Sequence, residues 1–412
     1  MVNKKIIDEF KIIEVEDYEK LIGAEAVNRI INKSGRLKDL KVINFNSTYY
    51  GGGVAEILNS LTLLMNTLGI KTEWRVIKGT PDFFTITKKM HNALQGGDIN
   101  LSELKKEIYE LVIYENVCRN YLDHDIVVIH DPQPLPMIKF YNNNCTWIWR
   151  CHIDLTETNM KLWEYLENFV NKYDAVILSS REYEKKIIPP IYYFMPAINP
   201  FSIKNRDLSD KEMMNRLNKY KIPTDLPLVV QVSRFDKWKG QHLLIEAFMS
   251  VKKEVGCTLI FLGNFADDDP EGSDYYHSLS EKKDERIMVL PYGNDTALVN
   301  TLQKKAHVVI QYSIREGFGL TVAEAMWKGT PVIGSNVGGI KYQIRNEVNG
   351  YLVSSVEELA DRIVRLLKDD KLREEMGKKA RESVKQNFLM TRYLEQYLDL
   401  FTEIHINKSR TI

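Results

Sequence analysis

Short apolar runs rich in β-branched and aromatic residues alternate along this chain with segments whose apolar residues recur at helical spacing. KVINFN (41–46), KTEWRVI (71–77), DIVVIHD (125–131), TWIWRCHID (146–154) and DAVILSS (174–180) read as strands, each closed by polar, Gly or Pro residues. GVAEILNSLTLLMNTLG, between the first two, has a helical period and stops at Gly69. Strand, glycine turn, helix, strand makes a βαβ unit. The pattern restarts with PLVVQVSRF (227–235), CTLIFLG (257–263), RIMVLP (286–291), AHVVIQYS (306–313), TPVIGS (330–335) and GYLVS (350–354). The helical stretches QHLLIEAFMSVKKEV and VEELADRIVRLLKD lie among them. Both halves therefore read as α/β with mainly parallel sheets.

The hydrophilic stretch INPFSIKNRDLSDKEMM (198–214), beside Pro196 and Pro200, reads as a linker. The expected division is 1–200 and 201–389. RYLEQYLDLFTEIH lies in a final amphipathic helix, 390–412, expected to pack back on the first unit. Residues 1–35 read as a strand and helix added before the first regular βαβ unit. Two facing α/β units enclose a cleft at the carboxyl ends of their strands, where such folds bind ligands.

At 412 residues, two cores are expected. Lys+Arg and Asp+Glu are both 56, so net charge points to neither nucleic acid nor a membrane surface as partner. No run reaches the ~18–20 apolar residues of a spanning helix, and acids break up the apolar residues of the N-terminus, unlike a signal peptide. Cys118, Cys145, Cys151 and Cys257 lack CxxC spacing and read as reduced thiols, which makes the cytoplasm the expected location.

The chemistry concentrates at strand ends. In REGFGLTVAEAMWKG, Gly317 and Gly319 allow close backbone approach before a helix start, whose free N–H groups suit phosphate. The carboxylates Glu316 and Glu324 suit sugar and ribose hydroxyls. Thr321 to Glu324 is also a capping-box pattern, which would make Glu324 structural. In SRFDKWKG, Arg234 and Lys239 can bracket a diphosphate or form a solvated surface pair. Gly51, Gly52 and Gly53 join the first strand to its helix as a substrate loop or a tight turn, without the GxGxxG or P-loop lysine of nucleotide-binding loops. His130, Asp131, His152 and Asp154 fall at strand ends. DDDPEGSD (267–274) reads as a solvated acidic loop ahead of a metal site.

SRFDKWKG followed by REGFGLTVAEAMWKGTPVIGSNVGG resembles the retaining GT-B glycosyltransferases of glycosyltransferase family 4. NSTYYGGGVAEIL, MHNALQGG, HDPQP, WRCHIDL and DDDPEG resemble, within it, the trehalose synthases and the related trehalose phosphorylases. The resemblance spans most of the chain. It implies two Rossmann-like domains facing a deep cleft, a nucleotide-sugar substrate and no essential cofactor or metal. By position, Arg234 and Lys239 resemble the pair that stabilises the leaving phosphate, and Glu316 the ligand of the donor glucose near O3. Gly317, Phe318 and Gly319, continuing into Leu320 and Thr321, resemble the segment presented to donor sugar and phosphate, and Glu324 the ribose ligand. His152 resembles the histidine near the glucose 6-hydroxyl. Asp154, Asp131 and Gln133 are acceptor candidates, and the loop holding Gly52 and Gly53 would close over phosphate and acceptor. Met90 stands where an aromatic is expected, which leaves His91 open.

The implied reaction joins glucose from UDP-, ADP- or GDP-glucose to free glucose, giving trehalose. Retaining glycosidases place a nucleophilic carboxylate about 5 Å from the acid, and no such pair is evident here. Same-face attack is expected instead, with a donor phosphate oxygen taking the acceptor proton. A phosphorylase using glucose 1-phosphate, a relative with another sugar acceptor, and a non-catalytic nucleotide-sugar sensor remain rival readings. The base preference and direction stay open, and so does a homodimer.

Overall fold

The computed structural model describes residues 12–50, 52–141, 144–264, 272–281 and 284–411. Its described strands form two six-stranded parallel sheets. The first holds β1 (Lys41–Asn46), β2 (Lys71–Val76), β3 (Ile126–His130), β4 (Thr146–Arg150), β5 (Ala175–Leu178) and β6 (Ile191–Tyr193), in the order β2-β1-β3-β4-β5-β6. The second holds β7 (Leu228–Val232), β8 (Thr258–Leu262), β9 (Ile287–Leu290), β10 (Val308–Gln311), β11 (Val332–Ser335) and β12 (Tyr351–Val353), in the order β12-β11-β10-β7-β8-β9. The second order is that of the doubly wound dinucleotide fold, and the first that of its flavodoxin-like variant. In each, the strand order reverses beside the first strand: between β1 and β3, and between β7 and β10. These switch points are where the fold opens a crevice.

The central strands are mostly apolar because helices cover both faces, with polar residues such as Asn44, His130 and Arg150 the exceptions. Ile43, Phe45, Val127 and Trp149 pack to one side of the first sheet; Val42, Val128 and Ile148 pack to the other. The second sheet is sandwiched likewise, with Val230 and Val309 on one side and Val229 and Ile310 on the other. The last helix, Met390–Thr411, sends Tyr393, Leu394, Tyr397, Leu398 and Phe401 into the cluster of Val42, Ile57 and Leu61. Arg29 also reaches back to Glu395 at 2.7 Å.

Two expectations are corrected, and one strand went unread. Between residues 12 and 40 there is no strand: a 3-10 turn, Val15–Tyr18, leads into helices Glu19–Ile22 and Ala24–Ser34. The remainder of that expectation, on residues 1–11, lies outside the described residues. The stretch 198–214 is not a free linker. Ile198 bridges to Leu389, and Ser209 with Glu212 forms a capping box that starts the helix Asp210–Lys219. That helix buries only Met213 and Leu217, so its charged faces hide it in the sequence. The edge strand β6 escapes notice because it is three residues long and sits between Pro190 and Pro196.

Candidate active site

The strand ends at both switch points open into one cavity of about 950 Å³, at the large end for small-molecule sites. Its walls include the loops after β1, β3 and β4 on one side and those after β7, β8 and β10 on the other. Nearly every residue singled out from the sequence lines it: Gly52, Gly53, Asp131, Gln133, His152, Arg234, Lys239, Glu316, Gly317, Phe318, Gly319, Leu320, Thr321 and Glu324. Asp154 does not. Its Oδ1 accepts from the backbone N–H and hydroxyl of Thr156, so the carboxylate shapes its own turn. Gly51 and most of the acidic stretch, Asp267 to Glu271, lie outside the described residues. Among those described, no group of three His, Cys, Asp or Glu is arranged to hold a metal ion.

Glu316 is held rigidly. Its Oε2 accepts from Lys239 Nζ at 2.8 Å and from Gln311 and Ser313 at 3.2 Å each. The backbone there is crowded: Gly319 has φ +80°, and a Cβ at Gly338 would lie 1.7 Å from the Glu316 carbonyl oxygen. The helix Leu320–Trp327 begins after Gly319, which settles the capping-box question. Thr321 donates to Gln311 Oε1, not to its own helix. The Glu324 carboxylate accepts from Gln303 at 3.2 Å and pairs with Lys204 at 3.1 Å. Lys204 also pairs with Glu56 at 2.6 Å, joining the helix Gly53–Thr67 to the second half. Burial alone would raise the Glu324 carboxyl, but Lys204 and Lys328 hold it below its usual range.

Three cations stand close to the proposed chemistry in the cavity wall. Arg234, Lys239 and Lys88 all line the cavity, and Lys88 pairs with Asp236 at 3.2 Å across the two halves. Burial would raise the Asp236 carboxyl, and Lys88 and Arg234 instead lower it to about 2. Sequence reasoning missed Lys88, although Lys88, His91 and the C-cap Gln95 fall at helical spacing along Pro81–Leu94 and all line the cavity. Met90, the unexpected residue beside His91, is fully buried in the core, so the departure acts on packing. The halves also meet directly: Trp238 donates to Asn92 at 3.3 Å, Tyr183 to the Gly317 carbonyl at 3.0 Å, and Ser180 to Tyr342 at 2.8 Å. Arg315 pairs with Glu157.

Three cavity histidines are kept neutral. Burial, then Lys88 and Arg234, lowers His91 to about 3; burial and Arg150 lower His130 to about 3; the same causes push His152 well down. In the unfolded chain each titrates near 6.5, so below that pH the unfolded state binds more protons. Stability is therefore whole above pH 6.5 and is lost as pH falls towards 3. Each histidine contributes a slope of up to about 1.4 kcal/mol per pH unit. His91→Gln is expected to flatten the stability profile by about that much between roughly pH 6 and 4.5, read by urea unfolding. An unchanged slope would contradict a His91 kept neutral by the fold.

Two family models match the chain: "Trehalose synthase, N-terminal domain" over residues 44–185, and "Glycosyl transferases group 1" over residues 214–383. A trehalose synthase of Pyrococcus horikoshii is 42% identical over 407 residues, covering 95% of this chain and 96% of the relative. The chain belongs to the trehalose synthase family. As a trehalose synthase relative it is a GT-B glycosyltransferase, and its chemistry is trehalose-related glycosyl transfer. A trehalose phosphorylase of Pleurotus pulmonarius is 26% identical, matching 90% of this chain but 58% of its own length. An α,α-trehalose-phosphate synthase of Burkholderia xenovorans, solved in complex with glucose-6-phosphate, superposes with a TM-score of 0.69 at 12% identity, over 87% of this chain and 98% of that one. That likeness concerns the fold. Among the described residues, no helix of this trehalose synthase family member is long and apolar enough to cross a membrane.

Proposed function

We propose that the protein transfers glucose, with retention, from a nucleoside diphosphate glucose to free glucose, making trehalose without an essential metal. One observation carries this reading: the cavity is lined also by Gly263 and Asn264 after β8 and by Asn294, Thr296 and Val299 in the loop and helix after β9. Glucose 1-phosphate would leave that end empty, whereas a ribose and base would fill it. Asn264 donates to Asn294 Oδ1 at 3.0 Å, giving that end a polar wall able to meet a base edge.

The acceptor side favours an uncharged sugar. Among the described residues, the one lysine or arginine lining it from the first sheet's half is Lys88, already paired with Asp236, and Lys204 at the junction is paired with Glu56 and Glu324. A sugar phosphate would find its anion facing occupied cations, while glucose can use Asp131, Gln133 and the ring of Trp74.

In the proposed reaction the bond from glucose C1 to the diphosphate oxygen breaks, and the acceptor's anomeric oxygen bonds to C1 on the same face. The acceptor proton passes to a phosphate oxygen of the departing nucleoside diphosphate. Arg234, Lys239 and the helix start at Leu320 stabilise the developing negative charge. Glu316 orients the donor glucose, and the closed halves exclude water from an oxocarbenium-like centre.

The test is product analysis with glucose and UDP-, ADP- or GDP-glucose, beside a glucose 1-phosphate arm and a glucose 6-phosphate acceptor arm, with and without chelator. The expected result is trehalose from a nucleotide donor and glucose, insensitive to chelation. Trehalose from glucose 1-phosphate alone would replace this reading with a phosphorylase; a product only with glucose 6-phosphate would overturn the acceptor. Binding without any product would favour the sensor.

A further inference from the structure

The histidine beside the proposed donor sugar sits at the end of a three-residue relay. Asn44, inside β1, donates its Nδ2 to the Glu73 carbonyl at 3.4 Å, so its Oδ1 faces His130. His130 Nε2 lies 3.0 Å from that oxygen, and His130 Nδ1 lies 3.0 Å from His152 Nε2. The imidazoles are stacked with centroids 5.3 Å apart. Asn44 and His130 are 2% and 1% exposed. His152 Nδ1 has no bond to another described residue, and His152 lines the cavity.

A neutral imidazole carries one N–H and one lone pair. An oxygen at Asn44 obliges His130 to donate from Nε2, which leaves its Nδ1 as a lone pair. Two nitrogens 3.0 Å apart need one proton between them, so His152 donates from Nε2. His152 Nδ1 is then an acceptor only. A charged His130 would invert this, and Arg150 opposes it. Its guanidinium, fully buried on β4 beside His130, donates to the Cys151 and Phe194 carbonyls and the Ser179 hydroxyl.

We propose that Asn44 and His130 are positioning residues that lock His152 as a pure hydrogen-bond acceptor, so that this wall selects a donor sugar carrying a hydroxyl there. This rests on the proposed glucosyl transfer and on the sequence resemblance that sets His152 near the donor glucose 6-hydroxyl. A hydroxyl supplies the proton that the lone pair needs; a fluorine in its place supplies a second acceptor and is repelled.

The experiment has two arms. Long-range proton–nitrogen NMR of the full-length protein labelled at its eight histidines reads each tautomer without substrate, with signals assigned by their loss in His152→Gln and His130→Gln. The proposal expects both histidines protonated at Nε2 near neutral pH; a proton on His152 Nδ1 would overturn it. The second arm compares UDP-glucose with its 6-deoxy-6-fluoro analogue in the native enzyme and in Asn44→Asp. A carboxylate at 44 favours a charged His130, which would make His152 donate into the cavity. Preference for the hydroxyl is expected to fall at least about tenfold, the scale of one lost hydrogen bond, mainly through donor KM. An equal loss of kcat/KM for both donors, as a purely structural role would give, would overturn the proposal. Should no nucleotide sugar be turned over, the functional reading fails and the spectrum still decides the tautomer.

Discussion

Replacing Lys239 with alanine is expected to lower kcat by about a hundred- to a thousandfold, with a much smaller change in donor KM. Lys239 lines the cavity between Arg234 and Glu316, and its Nζ lies 2.8 Å from Glu316 Oε2. In the proposed reaction its charge meets a leaving diphosphate whose negative charge grows as the glycosidic bond breaks. An interaction stronger in the transition state than in the ground state appears in kcat. The lysine also neutralises Glu316 before substrate arrives, so its loss leaves an anionic carboxylate facing an anionic leaving group. Steady-state kinetics with saturating glucose read the effect. A raised KM at unchanged kcat would mean that Lys239 binds donor and transition state equally, and would remove it from the leaving-group role.

Gly317→Ala is expected to cost about a hundredfold in kcat/KM, because it separates the two halves of the site. A Cβ at Gly317 would sit 2.1 Å from the carbonyl oxygen of His152 and 3.2 Å from its carbonyl carbon. Both neighbours are backbone, so no side chain can turn aside. The glycine lies on the loop after β10 and the histidine on the loop after β4, so the clash pushes one sheet's loop from the other's. A displacement of about 1 Å at reacting groups is enough for a loss of that size. Gly35→Ala is the control: nothing lies within 4 Å of its Cβ and its backbone is helical, so activity should be unchanged. Full activity in Gly317→Ala would show that the halves need not approach this closely during turnover.

How much of this was legible beforehand varied with the kind of interaction. Eleven strands lie within the apolar runs read from the chain, β1 at its full length, because strands buried on both faces lack alternation and stand out between polar helix ends. The strand-to-helix loops were legible for a related reason. Glycines and charged residues gather where the backbone must approach a ligand, and these segments carried the family resemblance. Local capping was read less well, since Thr321 had two partners within reach and only the packed structure shows that it bonds Gln311.

By itself, then, the sequence determined two α/β halves, strand ends that carry the polar and glycine-rich loops, and most of the residues that line the shared cavity. Those properties depend on neighbours a few positions apart. Tertiary structure alone decided that Lys204 ties Glu56 to Glu324, that Lys88 meets Asp236 across the cleft, and that Asn44 directs His130 and His152. The physical reason is common to all three. A polar side chain has several bonds open to it in the extended chain, and burial forces a choice among partners that only the folded chain brings within 3 Å or so.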